Sequence, residues 1–181
     1  MIYVVLGIVL LILIWFFVTF NNFIKLENKI IETFATMDVY LKKRWDLIPN
    51  LVEIVKGYAK HEKGILEEVT KLRSGNYNKF SEEEKLNANE RITKNIGKIL
   101  ALAENYPQLK SNDNFISLSE ELVNIENEIA QSRKYYNASV RLFNNKVKMI
   151  PSNVVAKIFG YKEKKMFEAT DDERNNLSVS I

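Results

Sequence analysis

The sequence predicts an all-α membrane protein: an N-terminal transmembrane helix that continues into a soluble helical bundle, closed by a short C-terminal helix. Three observations lead there. Ile2 to Phe20 carries no charged residue and matches the ~20 residues that a bilayer core requires. Phe115, Leu118, Leu122, Ile125, Ile129, Ser132, Tyr136, Val140, Phe143 and Val147 recur at intervals of 3, 4, 3, 4, 3, 4, 4, 3 and 4. That is the rhythm of one helical face, and it runs for roughly 50 Å without Pro or Gly. Six glycines and three prolines in 181 residues, with few alternating apolar runs, leave little to build a sheet from.

The anchor, residues 1–22, has no basic stretch before it and no small-x-small site after it, so it is expected to be retained and not cleaved. Trp15 suits an interfacial position near its C-terminal end. Lys25, Lys29, Lys42, Lys43 and Arg44 follow the span, while only the α-amino group precedes it. The positive-inside rule therefore places the rest of the chain in the cytoplasm.

The helical domain is assigned to residues 23–161. Phe23, Leu26, Ile30, Phe34, Met37 and Leu41 carry a helical stripe straight out of the membrane. Pro49 then has no N–H to offer the carbonyl of Trp45, so the helix either kinks or ends there, with Asp46 available to cap a new start. A further stripe, Val52, Val55, Ala59, Glu62, Leu66, Val69 and Leu72, runs to Ser74-Gly75, a C-cap signal. Ser81 and Glu84 form a capping box for a helix on Leu86, Ile92, Ile96, Ile99, Leu100 and Ala103. Glu104-Asn105-Tyr106-Pro107 stops it, and Asn112 or Asp113 caps the long helix that follows. Pro151 and Gly160 bracket a small apolar face of Val154, Val155, Ile158 and Phe159. It either lids the bundle or makes a second contact with the bilayer or a partner. Residues 162–181 read as a polar, disordered tail.

Chemistry is sparse. Lys and Arg number 26 against 23 acids, interspersed in sign, for a net +3, which does not suit a nucleic-acid partner. The absence of cysteine excludes disulfides, thiol catalysis and thiolate metal sites. His61 is the single histidine, so paired Glu-x-x-His and two-histidine zinc sites fail on count. The glycines stand singly and make no phosphate loop. No enzyme activity, cofactor or metal is expected. A set of polar residues lies close to the apolar stripes: Asp46, Asn50, Glu62, Arg73, Glu126, Asn127, Arg133 and Asn137. Arg–carboxylate pairs among them would fix the register of a bundle; a small-ligand site is the alternative.

Several of these stretches, in order, resemble the LemA family of bacterial membrane proteins: LKKRWDLIPNLVEIVKGYAKHE from Leu41 to Glu62, ENYPQLK from Glu104 to Lys110, NFISLSEELVNIENEIAQSRKYYN from Asn114 to Asn137, and Pro151-Ser152-Asn153. The motif residues are Arg44, Asp46, Pro49, Asn50, His61, Glu62, Arg73, Glu104, Asn105, Tyr106, Pro107, Glu126, Asn127, Arg133, Tyr136, Asn137 and Pro151. Trp45, Met149-Ile150 and Val154-Val155 are departures. The resemblance implies an antiparallel up-and-down four-helix bundle on one anchor in the bacterial inner membrane, and it favours a break at Asp46 to Pro49 over a kink. It implies no activity, but related domains in magnetosome membrane formation point to membrane organisation. The function expected is a non-catalytic, homo-oligomeric scaffold attached to the lipid bilayer through residues 2–20. The alternative is an adaptor or sensor for a membrane protease or signalling protein.

Overall fold

A computed structural model of the chain describes residues 1–58, 64, 67 and 76–167. Every regular element among them is helical. α1 is Ile2–Tyr58, α2 Glu82–Ala103, α3 Pro107–Lys110, α4 Asp113–Lys148 and α5 Ser152–Phe159, with a single 3-10 turn at Tyr77–Lys79. The all-helical class, the long N-terminal helix and the short C-terminal one are as the sequence predicts. His61, Glu62 and Arg73, and the stripe beyond Tyr58, lie outside the described residues.

Pro49 corrects an expectation. It lies inside α1, which neither ends at Asp46 nor restarts there. A proline within a helix costs about 3 kcal/mol. Ile48, Leu51, Val52 and Val55 surround it with at most 6% of their surface exposed. Burying each such side chain is worth about 1.5–3 kcal/mol, so packing outweighs the lost hydrogen bond. With no helix start to cap, Asp46 is exposed and pairs with Lys42 one turn back.

Local signals set the other boundaries. Ser81 Oγ accepts from the Glu84 amide at 3.3 Å and Glu84 Oε2 from the Ser81 amide at 2.7 Å, which completes the capping box. Those bonds hold the Glu84 carboxyl below its usual range. Pro107 opens α3, where a missing N–H is no loss. Asn112 Oδ1 accepts from the Phe115 amide at 3.0 Å at the start of α4. Gly160 ends α5 at φ +72°, a conformation that side chains with a Cβ disfavour.

By packing, the described chain forms two compact units, one from residues 1–37 with 131–167 and the other from residues 38–130. In the first, Phe23, Ile30, Phe34 and Met37 of α1 are buried with Tyr136, Val140 and Phe143 of α4 and Val155 and Ala156 of α5. Aromatic rings mesh there. Phe23 stands edge-on to Phe143 at 5.8 Å and stacks on Tyr161 at 4.7 Å. In the second, Leu41, Trp45, Ile48, Leu51 and Val55 of α1 are buried with Ile92, Ile96 and Ile99 of α2, Leu109 of α3, and Phe115, Leu118, Leu122, Ile125 and Ile129 of α4. All the predicted α4 stripe is buried, Ser132 included, except Val147, which is half-buried.

α1 holds the single stretch among the described residues that is long and apolar enough to cross a membrane, by length and composition. Its most apolar 18-residue window has a mean hydropathy of 2.9 and is only 6% buried within the structure. A core helix of a water-soluble fold would be covered, and this one is not.

Candidate functional site

Two polar arrangements stand out, one in each unit. The first is centred on Arg44, a long cationic side chain with none of its surface exposed. Its heptad-like place between Leu41 and Ile48 points it into the core, where a bare charge would be prohibitively costly. Both terminal nitrogens of its fork are therefore engaged. Nη1 donates to Thr93 Oγ1 at 2.7 Å and pairs with the Glu126 carboxylate. Nη2 donates to the Asn89 backbone oxygen at 2.8 Å and to Asn89 Oδ1 at 2.9 Å. Four acceptors from two helices thus meet one planar donor, a geometry that lysine lacks. The Glu126 side chain is 32% exposed, so water screens that end and the pair's Coulomb gain is well short of a fully buried one.

The network extends from Asn89. Its Nδ2 donates to the Lys85 carbonyl at 2.9 Å and, more weakly, to the Tyr77 hydroxyl at 3.4 Å. Tyr77 in turn donates to Asp38 Oδ1 at 2.8 Å, and Lys85 Nζ reaches Asp38 Oδ2 at 2.6 Å. Burial, reinforced by the Asp38 carboxylate, pushes the Tyr77 phenol far above its ordinary value. Trp45 and Phe80 pack on the same ring, at 5.3 and 6.1 Å. One continuous polar chain, Lys85–Asp38–Tyr77–Asn89–Arg44–Glu126, therefore joins α1, the 3-10 turn, α2 and α4. Its groups are directed at one another, which makes it a register lock more than a reaction centre.

The second arrangement is a clamp on main chain. Asn144 Nδ2 donates to the Lys164 carbonyl at 2.8 Å while its Oδ1 accepts from the Lys164 amide at 2.9 Å. Asn137 does the same to Phe167, at 2.9 and 2.8 Å. The spacing explains why two asparagines suffice. Seven helical residues advance about 10.5 Å. Three extended residues advance about 10 Å. Residues 161–167 consequently run antiparallel to α4 as a strap. Phe167 packs edge-on against Tyr136 at 5.5 Å, and the Arg133 guanidinium lies 5.4 Å from its ring centre. The Tyr136 hydroxyl donates to the Lys165 carbonyl at 3.4 Å, and Lys164 reaches Glu27 at 3.0 Å. Residues 162–167, expected in a disordered tail, are instead held at two backbone positions.

The motif residues thus separate. Arg44 and Glu126 meet in one unit; Arg133, Tyr136 and Asn137 gather around the strap in the other. Pro49 is half-buried within α1. Asp46, Asn50, Asn127, Glu104, Asn105, Pro107 and Pro151 are exposed, with Glu104 paired to Lys110 at 2.5 Å and Tyr106 half-buried ahead of α3. Asp38, Tyr77, Lys85, Asn89, Thr93 and Asn144 escaped sequence reasoning. Two of them left a signal. Asn89 precedes Ile92, Ile96 and Ile99 in the same 3–4 rhythm, and Asn144 lies one heptad after Asn137. No group of three or more His, Cys, Asp or Glu side chains that could hold a metal occurs among the described residues.

Comparison with known proteins finds two kinds of relative. The LemA family profile matches residues 33–181. Protein LemA of Metamycoplasma hominis is 24% identical over 161 residues, covering 88% of this chain and 74% of that protein. Magnetosome protein MamQ 2 of Paramagnetospirillum magneticum is 33% identical over 73 residues, 40% of this chain. Magnetosome protein MamQ of Magnetospirillum gryphiswaldense is 32% identical over 72 residues. The matched segments span 27% and 26% of those two longer proteins.

Proposed function

The chain belongs to the LemA family, and on that premise we propose that it is a membrane-anchored, non-catalytic scaffold that self-associates and organises or remodels the bilayer, with its helical domain in the cytoplasm. The observation that carries the reading is α1 itself. A single helix passes from the apolar residues 2–18, uncovered except for the half-buried Phe16, to the packed residues beyond Phe23 with no intervening loop. A rigid exit of this kind transmits position and tilt to the bilayer, where a flexible tether would not.

Support for self-association comes from apolar side chains that face outward. Ile24, Ile31 and Val39 on α1, and Tyr135 and Leu142 on α4, are between 38% and 68% exposed. Steps of seven or eight residues place each set on one helical face, the pattern of a helix–helix seam. The Arg44 network and the Asn137 and Asn144 clamps, by contrast, are directed inside their own units, and magnetosome proteins among the relatives fit a membrane-organising role. The same outward faces would also suit a helix of a membrane protease or signalling protein, which is the adaptor reading. Light scattering of the full chain in detergent separates the two. A particle of several copies is expected, together with altered vesicle shape by cryo-microscopy. A stable single-chain particle that leaves vesicles unchanged would transfer the proposal to the adaptor.

A further inference from the structure

α5 is apolar on two sides. Val155 and Ala156 face inward with at most 1% of their surface exposed. Val154 and Ile158, one turn apart on the opposite side, are 53% and 62% exposed, and Met149 and Ile150 just before the helix are 61% and 84% exposed. A short helix lidding a bundle in water would turn polar residues outward. The place of α5 in its unit resolves the anomaly. Phe159 packs against Phe20 at 4.4 Å and against Phe16 at 5.9 Å. Those residues lie in the C-terminal part of the apolar span, so α5 packs beside that end of it.

Charge points the same way. Between Asn144 and Phe167 lie six lysines (Lys146, Lys148, Lys157, Lys162, Lys164 and Lys165) against one acid, Glu163. Lys157 is exposed beside the outward apolar face. An apolar face flanked by lysines is the composition of a helix lying in the headgroup–acyl boundary, where anionic lipids attract the cations. Eight residues would bind a bilayer weakly on their own. Tethered beside a spanning helix, α5 is already at the surface and pays little to enter it.

We infer that α5, with the Met149-Ile150 turn, is an interfacial helix seated in the same bilayer leaflet from which α1 emerges, its Val154/Ile158 face in lipid. The inference rests on the reading of residues 2–20 as a membrane anchor. It adds a second bilayer contact that fixes the rotation of the domain about α1 and inserts a wedge on one side of the anchor only. Asymmetric insertion of that kind is what a membrane-remodelling scaffold needs.

The chain has no cysteine, so single labels report cleanly. Full-length Ile12→Cys, Val154→Cys, Ile158→Cys and Glu121→Cys variants, labelled with an environment-sensitive fluorophore, are reconstituted in phosphatidylcholine–phosphatidylglycerol vesicles. Aqueous iodide and lipids carrying a nitroxide just below the headgroup then serve as quenchers. The expected result is loss of iodide quenching and gain of nitroxide quenching at 154 and 158, with Glu121→Cys fully iodide-accessible and Ile12→Cys shielded from iodide. If Ile12→Cys is shielded while 154 and 158 remain open to iodide, the α5 inference is overturned and the anchor stands. If Ile12→Cys is open as well, the anchor reading fails and takes the inference with it. Shielding of 154 and 158 from both quenchers, with label–label self-quenching, would overturn it in favour of a second copy covering the face.

Discussion

The unit of residues 38–130 and the unit of residues 1–37 with 131–167 bury polar groups in opposite ways. In the former, a guanidinium with no exposed surface is matched by side chains and one carbonyl from α2 and α4. In the latter, two neutral amides each take both hydrogen-bonding groups of one backbone residue. A buried charge must be satisfied whenever the unit is folded, so the Arg44 network cannot open while the native unit stays folded. An amide clamp releases groups that water can satisfy again, so the strap can leave while the helices stay packed. The difference teaches that the motif residues serve two tasks, locking helix register in one unit and holding a chain segment in the other.

The largest expected effect probes the apolar frame within which both devices operate. Ile129→Asp removes burial worth about 1.5–3 kcal/mol. It also forces a carboxylate into a site that is 1% exposed, adding several kcal/mol. Circular dichroism of the full chain in detergent should show loss of the cooperative transition, while Glu120→Ala, at an exposed position of the same helix, melts like the parent. Similar losses for both would mean that α4 presents a different face.

Next comes the charged lock. Arg44→Ala leaves Glu126 and Asn89 without their donor and should cost roughly 3–5 kcal/mol in denaturant titrations. Arg44→Met combined with Glu126→Leu removes both charges and restores volume, and should recover most of that loss. A double variant no more stable than Arg44→Ala would show that Asn89 and Thr93, and not the charge, dominate the network.

The clamp should respond more mildly and more locally. Asn144→Ala removes two hydrogen bonds, each worth about 0.5–1.5 kcal/mol net. Hydrogen exchange should accelerate at the Lys164 amide, with the transition of residues 38–130 unmoved. Global destabilisation equal to that of Arg44→Ala would break the comparison.

The smallest effect appears in alkali. The Tyr77 phenol is held above its ordinary 10.0, chiefly by burial and then by Asp38. Its contribution is therefore complete below pH 10 and declines as pH rises beyond that value toward the folded-state pKa. The Tyr40 and Tyr161 phenols are also raised, so the reading is a difference between proteins: absorbance at 295 nm near pH 10 should be the same for folded parent and folded Tyr77→Phe. After denaturation the parent should show one titrating tyrosine more than Tyr77→Phe.

Much of this architecture was already in the residue order. The α4 stripe, the apolar span of α1, the Ser81–Glu84 box and the Gly160 stop are local patterns. Period, caps and hydropathy act within a few residues, so they can be read without a fold. Glu126, Arg133 and Asn137 were legible as polar residues beside the apolar stripes, and Arg44 and Tyr136 as motif residues of the resemblance, but none of them as partners. Which carboxylate meets Arg44 depends on the approach of α1 to α4 across 82 positions of sequence. Asp38 and Lys85 look like ordinary surface charges until Tyr77 is placed between them. The strap was misread because its composition is that of a free tail; only the coincidence of two helical turns with three extended residues brings it to order. Pro49 was misread for a related reason. Its local cost predicts a break, and the decision fell to the burial of Ile48, Leu51, Val52 and Val55, which exists only once α1 is packed. Local chemistry thus determined where helices can begin and which faces they bury. The tertiary structure alone decided which polar groups meet, because those choices are set by energies that no single segment contains.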